Sequence, residues 1–423
     1  MHLVIFILAL TTVLYATISK RVDKTWITPP MIFVSLGGLI AITTDNLINE
    51  DQAGELLEII AELTLVVVLF IDASRINLRL LVRDYRIPLR MLGFGLPLTI
   101  LFGALVAKLI FPEFSIWEAA LLAAILAPTD AALGQAVVSS PDVPPKIRQS
   151  LNVESGLNDG IALPLVILCA TMAGVSEGAA GGLTVYWIKQ VTLGPIVGLA
   201  VGLIGGKALE LARKLDWSNS SFQRVSGLAL ALLAWSAASL VGGNGFIAAF
   251  VAGMAVSFRA AGIGKAMQDF GEAEGQWLTL ATFLLFGMTF VIPAFSNLTL
   301  QQFEYALLSL TVIRMLPVAL SLCGLGFIRP TLLFVGWFGP RGLASLLFAL
   351  LVVSTFEISY GETIFNTAMV TVVLSIFAHG ITAVPASRLY HRIISARCDS
   401  KSLENAPCVQ ISSRHVGDRK LDI

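Results

Sequence analysis

The chain has 423 residues, 56% of them apolar and only 13% charged, with 28 Lys and Arg against 28 Asp and Glu. A soluble chain carries about 25% charged residues, so this composition excludes a water-soluble globular protein and describes one that crosses a membrane many times. A net charge of zero gives no sign of a nucleic-acid partner; the placement of charge along the chain carries the information.

About thirteen apolar segments are long enough to cross a bilayer, and they read as helices of an all-α polytopic membrane protein. They fall near 2–19, 28–44, 55–74, 87–111, 115–138, 147–174, 183–212, 222–241, 244–258, 276–295, 302–327, 330–354 and 362–387. The first lacks a basic start and a small-residue cleavage site, so it reads as a span and not as a cleavable signal. Glycines 194, 198, 202, 205 and 206 in segment seven predict close helix packing. Cys169, Cys323, Cys398 and Cys408 form no metal spacing and read as free thiols.

All but four of the 28 basic residues fall in alternate loops, from Lys20, Arg21 and Lys24, through Arg75–Arg90, Lys146 and Arg148, to the tail after Arg388. The intervening loops are acidic or neutral, with Asp45, Glu50, Asp51, Glu113, Glu177, Glu357 and Glu362. By the positive-inside rule the tail is cytoplasmic and the N-terminus outside, which requires an odd number of crossings. A plasma (cell inner) membrane is the expected location.

Segment six carries Asn152-Val153-Glu154-Ser155-Gly156-Leu157-Asn158-Asp159-Gly160. Ionisable groups at membrane depth are costly and mark functional sites. Ser155 and Asp159 share one helix face, Glu154 and Asn158 the adjacent one, so all four can point into a single cavity. Two of the remaining basic residues, Arg314 and Arg341, fall inside segments, where a guanidinium stays charged and needs carboxylate or carbonyl partners. Arg314 is the expected partner of Glu154.

Segments five and twelve are interrupted, at Ala127-Pro128-Thr129-Asp130 and at Gly339-Pro340-Arg341-Gly342. Proline breaks the helical ladder. Two interrupted segments seven apart run in opposite directions, which points to an inverted-repeat transporter. Asp130 suits the N-terminal ends of the half-helices and Arg341 the C-terminal ends. Asp72, near the cytoplasmic end of segment three, reads equally as part of an access funnel or as a partner of Arg75. Glu62 reads as a helix-contact residue. His379 reads first as a hydrogen-bonded packing residue, with pH sensing as the alternative.

Taken together, Ala127–Asp130, Glu154–Asp159, Gly339–Gly342 and His379-Gly380 resemble the signature of the NhaP/NHE-type cation:proton antiporters, in order along most of the chain. The resemblance implies an NhaA-like fold: two inverted six-helix repeats with crossed discontinuous helices, linked by segment seven. It implies a homodimer. Residues 1–392 would form the transmembrane antiporter domain, with an ion-carrying core at about 87–174 and 302–387 and dimerisation helices from the remainder. Residues 393–423 would be a short, disordered cytoplasmic tail, too short for calmodulin-type control. By position, Asp159 resembles the ion- and proton-binding carboxylate, and Na+ would be held by Asp159, Ser155 and the Thr129 carbonyl. Asp130 resembles the acid at the helix crossing, Asn158 the neutral partner of Asp159, and Glu154 with Arg314 the core ion pair.

The chemistry follows from burial. A bare carboxylate is costly in a low-dielectric cavity, so a carrier built on Asp159 moves only when loaded with H+ or a cation, and exchange is obligatory. Asn158 does not titrate and Glu154 is held by arginine, so the expected exchange is electroneutral, one proton per cation. Hard oxygen ligands suit Na+ or Li+ and a wider cage suits K+, which makes Na+/H+ exchange the first reading and K+/H+ antiport the alternative. No cofactor is called for. An intramembrane protease needs a serine–histidine dyad or a His-Glu-x-x-His pair, and only His379 of the four histidines lies in a segment. Crossed interruptions suit alternating access better than an open channel.

Overall fold

The computed structural model describes residues 2–22, 25–43, 50–75, 86–174, 180–259 and 261–396. Asp45, Arg79, Arg83, Glu177, Cys398, Cys408 and the tail beyond 396 lie outside them. The described residues form helices and no strand. In chain order they are α1 (His2–Val22), α2 (Pro29–Thr43), α3 (Glu50–Arg75), α4 (Arg86–Ile110), α5 (Ile116–Ile125), α6 (Ala131–Val138), α7 (Pro145–Ala173) and α8 (Ala180–Lys214). Then follow α9 (Ser220–Leu240), α10 (Gly245–Arg259), α11 (Ala261–Phe286, continued to Ser296), α12 (Leu300–Leu310), α13 (Val312–Ser321), α14 (Arg329–Trp337), α15 (Leu343–Thr355) and α16 (Gly361–Ser395).

Helix lies over every apolar segment of the sequence. Seven helices among the described residues are long and apolar enough to cross a membrane, and Pro29–Thr43, Ile116–Ile125, Gly245–Phe258 and Leu343–Thr355 are shorter apolar helices. The protein is therefore an all-α, multi-pass membrane protein.

Local chemistry sets several boundaries. Ser115 and Glu118 close a capping box at the start of α5, and Thr299 with Gln302 closes another at α12. The Glu118 carboxylate also accepts the Tyr360 N–H at 3.1 Å, tying the start of α5 to the start of α16. Three features depart from the apolar pattern. The chain breaks at Thr311 between α12 and α13, with no proline or glycine there. A π-helical turn runs through Met91–Gly95 of α4 and another through Gly287–Val291 of α11. Helix α11 starts at Ala261, well before the apolar run, and α16 runs to Ser395, into the first residues of the expected tail.

Packing is tight where side chains vanish. A Cβ on Gly194 would sit 2.8 Å from Asn244 O, and one on Gly202 2.6 Å from Ala252 O, so α8 lies directly on the α10 backbone. Cys169 is buried and Cys323 exposed, both free thiols. Glu62 is exposed on α3, beside the exposed Ile59 and Leu63.

Candidate ion-binding site

Two interrupted helices meet in the interior, where Asp130 and Arg341 are both buried. The break between α5 and α6 leaves carbonyls at the end of α5 and N–H groups at the start of α6 without ladder partners. The break between α14 and α15 does the same. Each supplies what the other lacks. The Asp130 N–H donates to Pro340 O at 2.8 Å. Asp130 Oδ1 caps α6, accepting from Ala132 N at 2.7 Å and Leu133 N at 3.3 Å, while Oδ2 accepts from Leu343 N, the first residue of α15, at 2.6 Å. One carboxylate thus sits at the positive ends of two half-helices. Arg341, fully buried, donates through Nη1 to Ala127 O at 2.7 Å and Pro128 O at 3.2 Å, at the negative end of α5. A Cβ on Gly342 would overlap Asp130 Oδ2, so the crossing closes only because residue 342 has no side chain.

Helix α7 runs past this crossing and divides its polar residues among three neighbours. Glu154 turns to α13, where its Oε1 lies 2.5 Å from Arg314 Nη1, both side chains 3% exposed. Ser155 Oγ is 2.9 Å from Thr129 Oγ1, and Asn158 Nδ2 donates to Thr129 Oγ1 at 2.7 Å. Asp159 faces a third direction, into a cavity of about 630 Å³ that Asp130, Asp72, Asn152, Gln135 and Ser140 also line. Of the four polar groups expected to share one cavity, only Asp159 lines it; Glu154, Ser155 and Asn158 are engaged elsewhere. The four residues lie on one side of α7, and the elements packed outside it give them separate destinations: Arg314 for Glu154, Thr129 for Ser155 and Asn158, and the cavity for Asp159.

Asp159 is 8% exposed, and its Oδ1 has no hydrogen-bond partner among the described residues. Asn158 Oδ1 is likewise unpartnered. The buried carboxylates around it differ: Asp130 is held by three backbone N–H groups, and Glu154, whose Oε2 is also unpartnered, is paired with Arg314 and does not line the cavity. Asp130 and Glu154 together balance Arg314 and Arg341, so the fixed charges of the crossing cancel. Asp72 lines the same cavity from α3, with its Cβ 3.8 Å from where a Cβ on Gly156 would lie. Cavity walls come from α1–α3 and α11 on one side and from α6, α7, α15 and α16 on the other. His379, 2% exposed, is hydrogen-bonded through both ring nitrogens. Sequence reading did not single out Ser375, whose Oγ accepts the Arg341 N–H; its place one turn before His379 was the available signal. Among the described residues no group of three or more His, Cys, Asp or Glu is placed to hold a metal ion.

An unpartnered carboxylate oxygen on a cavity wall, beside two crossed half-helix breaks, is thus built into a multi-pass membrane fold. The chain belongs to the sodium/hydrogen exchanger, transmembrane, family, which it matches over residues 6–388. It is 26% identical over 400 residues to the K+/H+ antiporter NhaP of Alkalimonas amylolytica, an alignment covering 91% of this chain and 66% of that protein. It is 23% identical over 365 residues to the K+/H+ antiporter NhaP2 of Shewanella baltica, covering 83% and 62%. With the Na+/H+ antiporter 2 of Zygosaccharomyces rouxii it shares 29% over 269 residues, 58% of this chain and 32% of that one. The chain therefore spans between about a third and two thirds of the length of these relatives. Its fold is that of the sodium proton antiporter MjNhaP1 from Methanocaldococcus jannaschii, with a TM-score of 0.76 at 21% identity, covering 90% of this chain and 99% of that one.

Proposed function

We propose that this protein is a monovalent cation/proton antiporter in which cation and H+ compete for the Asp159 carboxylate, with K+ as the cargo. The observation that carries the exchange is the contrast among buried carboxylates. Among the described residues, Asp159 alone combines an unpartnered oxygen with a place on the cavity wall and no basic partner. A buried carboxylate without a counter-charge must be neutralised by a proton or a cation before it can move through a low-dielectric environment. Asn158 Oδ1 supplies a second free oxygen beside it, and Thr129 and Ser155 stand one hydrogen bond further on.

Sequence reading put Na+ first. The relatives aligned over 83% and 91% of the chain carry the name K+/H+ antiporter, and they move K+ ahead. Na+ remains the second reading, favoured by the family's description and by the yeast relative. Because the fixed charges at the crossing cancel, replacing one proton on Asp159 by one cation leaves the site's charge unchanged, and the exchange is electroneutral. Thirteen spans in two inverted repeats, an ion-carrying core distinct from dimerisation helices, a homodimer in the inner membrane, and a cytoplasmic C-terminus complete the reading. The crossed breaks and the alternation of basic loops support it.

The test uses purified protein in liposomes holding a pH dye, acid inside, with K+, Na+ or Li+ added outside. Cation-driven alkalinisation that is lost in Asp159→Asn, with K+ effective at the lowest concentration, is expected. A lower half-saturating concentration for Na+ would return the cargo to sodium. No response of folded wild-type protein to any of the three would overturn the antiport reading.

A further inference from the structure

Ser375, His379 and Thr382 fall at i, i+4 and i+7 along α16, so they share one helix face. That face meets the interruption between α14 and α15. The Arg341 N–H donates to Ser375 Oγ at 2.6 Å. His379 Nε2 lies 2.9 Å from Trp337 O, at the last residue of α14. Nε2 can donate its hydrogen to that carbonyl, which only accepts. Nδ1 faces both the Ser375 hydroxyl at 3.1 Å and the Ser375 carbonyl at 3.0 Å, so the ring is held at both nitrogens. The Trp337 indole N–H donates to Thr382 Oγ1 at 2.9 Å, and the Trp337 and His379 rings pack with centroids 4.9 Å apart. A continuous helix thus supplies partners to both orphaned ends of a broken one. None of the three residues lines the cavity.

We propose that Ser375, His379 and Thr382 are positioning residues, a clamp by which α16 fixes the α14–α15 interruption and, through it, the oxygens around Asp159. The route is continuous. The clamp sets the backbone at Trp337 and Arg341. That backbone presents Pro340 O to the Asp130 N–H and the Arg341 guanidinium to Ala127 O and Pro128 O. Thr129, between those groups, is thereby held against Ser155 and Asn158. His379 acts here as an oriented donor to Trp337 O, not as a titrating group. The consequence for transport rests on the proposed exchange at Asp159; the clamp itself does not.

The experiment compares wild type, His379→Leu, His379→Gln and Ser375→Ala as full-length chains in the same liposomes. It reads KM and maximal rate for K+, the pH profile, and amide hydrogen exchange over residues 337–343. Loss of one buried hydrogen bond corresponds to roughly a tenfold effect. His379→Leu is expected to raise KM by about that factor, with the maximal rate within about twofold of wild type, and to lose amide protection over 337–343. His379→Gln keeps an N–H able to reach Trp337 O and cannot titrate. It is expected to restore KM, protection and the wild-type pH profile. Wild-type KM and protection in His379→Leu, or a His379→Gln as impaired as His379→Leu, would overturn the proposal. If His379→Leu does not fold, Ser375→Ala, which removes both the acceptor for Arg341 N–H and the hydroxyl beside His379 Nδ1, carries the same expectations, and wild-type KM and protection there would overturn the proposal equally. If wild type exchanges no cation, the functional reading fails, and amide protection still decides whether the clamp exists.

Discussion

Removing the Glu154 charge isolates the cost of an unpaired guanidinium inside the protein. In Glu154→Gln, Arg314 would keep its charge at 2% exposure. It has nowhere to take that charge. Its Nε and Nη2 have no hydrogen-bond partner among the described residues, and the guanidinium packs so closely on Gly339 that a Cβ there would overlap Nε. Breaking a buried pair by removing one partner costs about 3–5 kcal/mol, and the confinement of Arg314 places this site toward the upper end. Arg314→Met strands the carboxylate with a similar penalty. The double variant Glu154→Leu/Arg314→Met removes both charges and refills the volume, so it is expected within about 1–2 kcal/mol of wild type. The three variants form a cycle whose coupling should exceed about 3 kcal/mol. Unfolding in mixed micelles, followed by tryptophan fluorescence, measures each corner. Single variants within about 1 kcal/mol of wild type, or a double variant whose loss equals the sum of the singles, would show that the pair is solvated and uncoupled.

Asp130→Asn keeps one acceptor for the α6 N-terminus but turns an amide N–H toward Leu343 N, or the reverse; exchange activity should be lost and stability should fall by about 1.5–3 kcal/mol, the worth of a hydrogen bond to a charged group, measured in the same micelles. Gly342→Ala places a methyl into Asp130 Oδ2 and should abolish transport, whereas the same change at Gly134, whose Cβ would meet nothing within 4 Å, should be silent in the liposome assay. Gly160→Ala drives a Cβ into the Phe250 ring and should destabilise by about 1–3 kcal/mol, relieved when Phe250 is also changed to Leu. An imposed membrane potential at fixed ion and proton gradients should leave the exchange rate unchanged; a steep dependence would refute one-for-one exchange.

Much of this architecture is written locally. Pro128 and Pro340 mark the two interruptions because each removes a backbone donor, and the adjacent Asp130 and Arg341 carry the charges that orphaned helix ends attract. Carboxylates at membrane depth single out α7 by cost alone. What the sequence does not carry is which group meets which. Asp130 and Leu343 are 213 residues apart, and no local pattern encodes a bond between them. The helical period brings residues 154, 155, 158 and 159 to neighbouring directions; only the helices packed outside α7 separate Arg314, Thr129 and the cavity as their destinations. The break at Thr311 has no proline or glycine to announce it, and the polar start of α11 escapes any search for apolar runs.

The separation of partners along the chain has a consequence for how the protein is made. Asp130, Glu154 and Asp159 all emerge in the first half of the chain. Ala132 and Leu133 cap one Asp130 oxygen at once, but Arg314, Pro340 O and Leu343 N–H, which complete the partners of Glu154 and Asp130, emerge in the second. During synthesis α5–α7 reach the bilayer before the residues that complete the partners of Asp130 and Glu154 exist. Until α13–α15 arrive, the first half must keep its acidic groups protonated, wet, or withheld from lipid. The crossing at Asp130 can therefore close only after α15 has emerged, and a chain truncated before residue 314 should be retained as an unstable insertion intermediate.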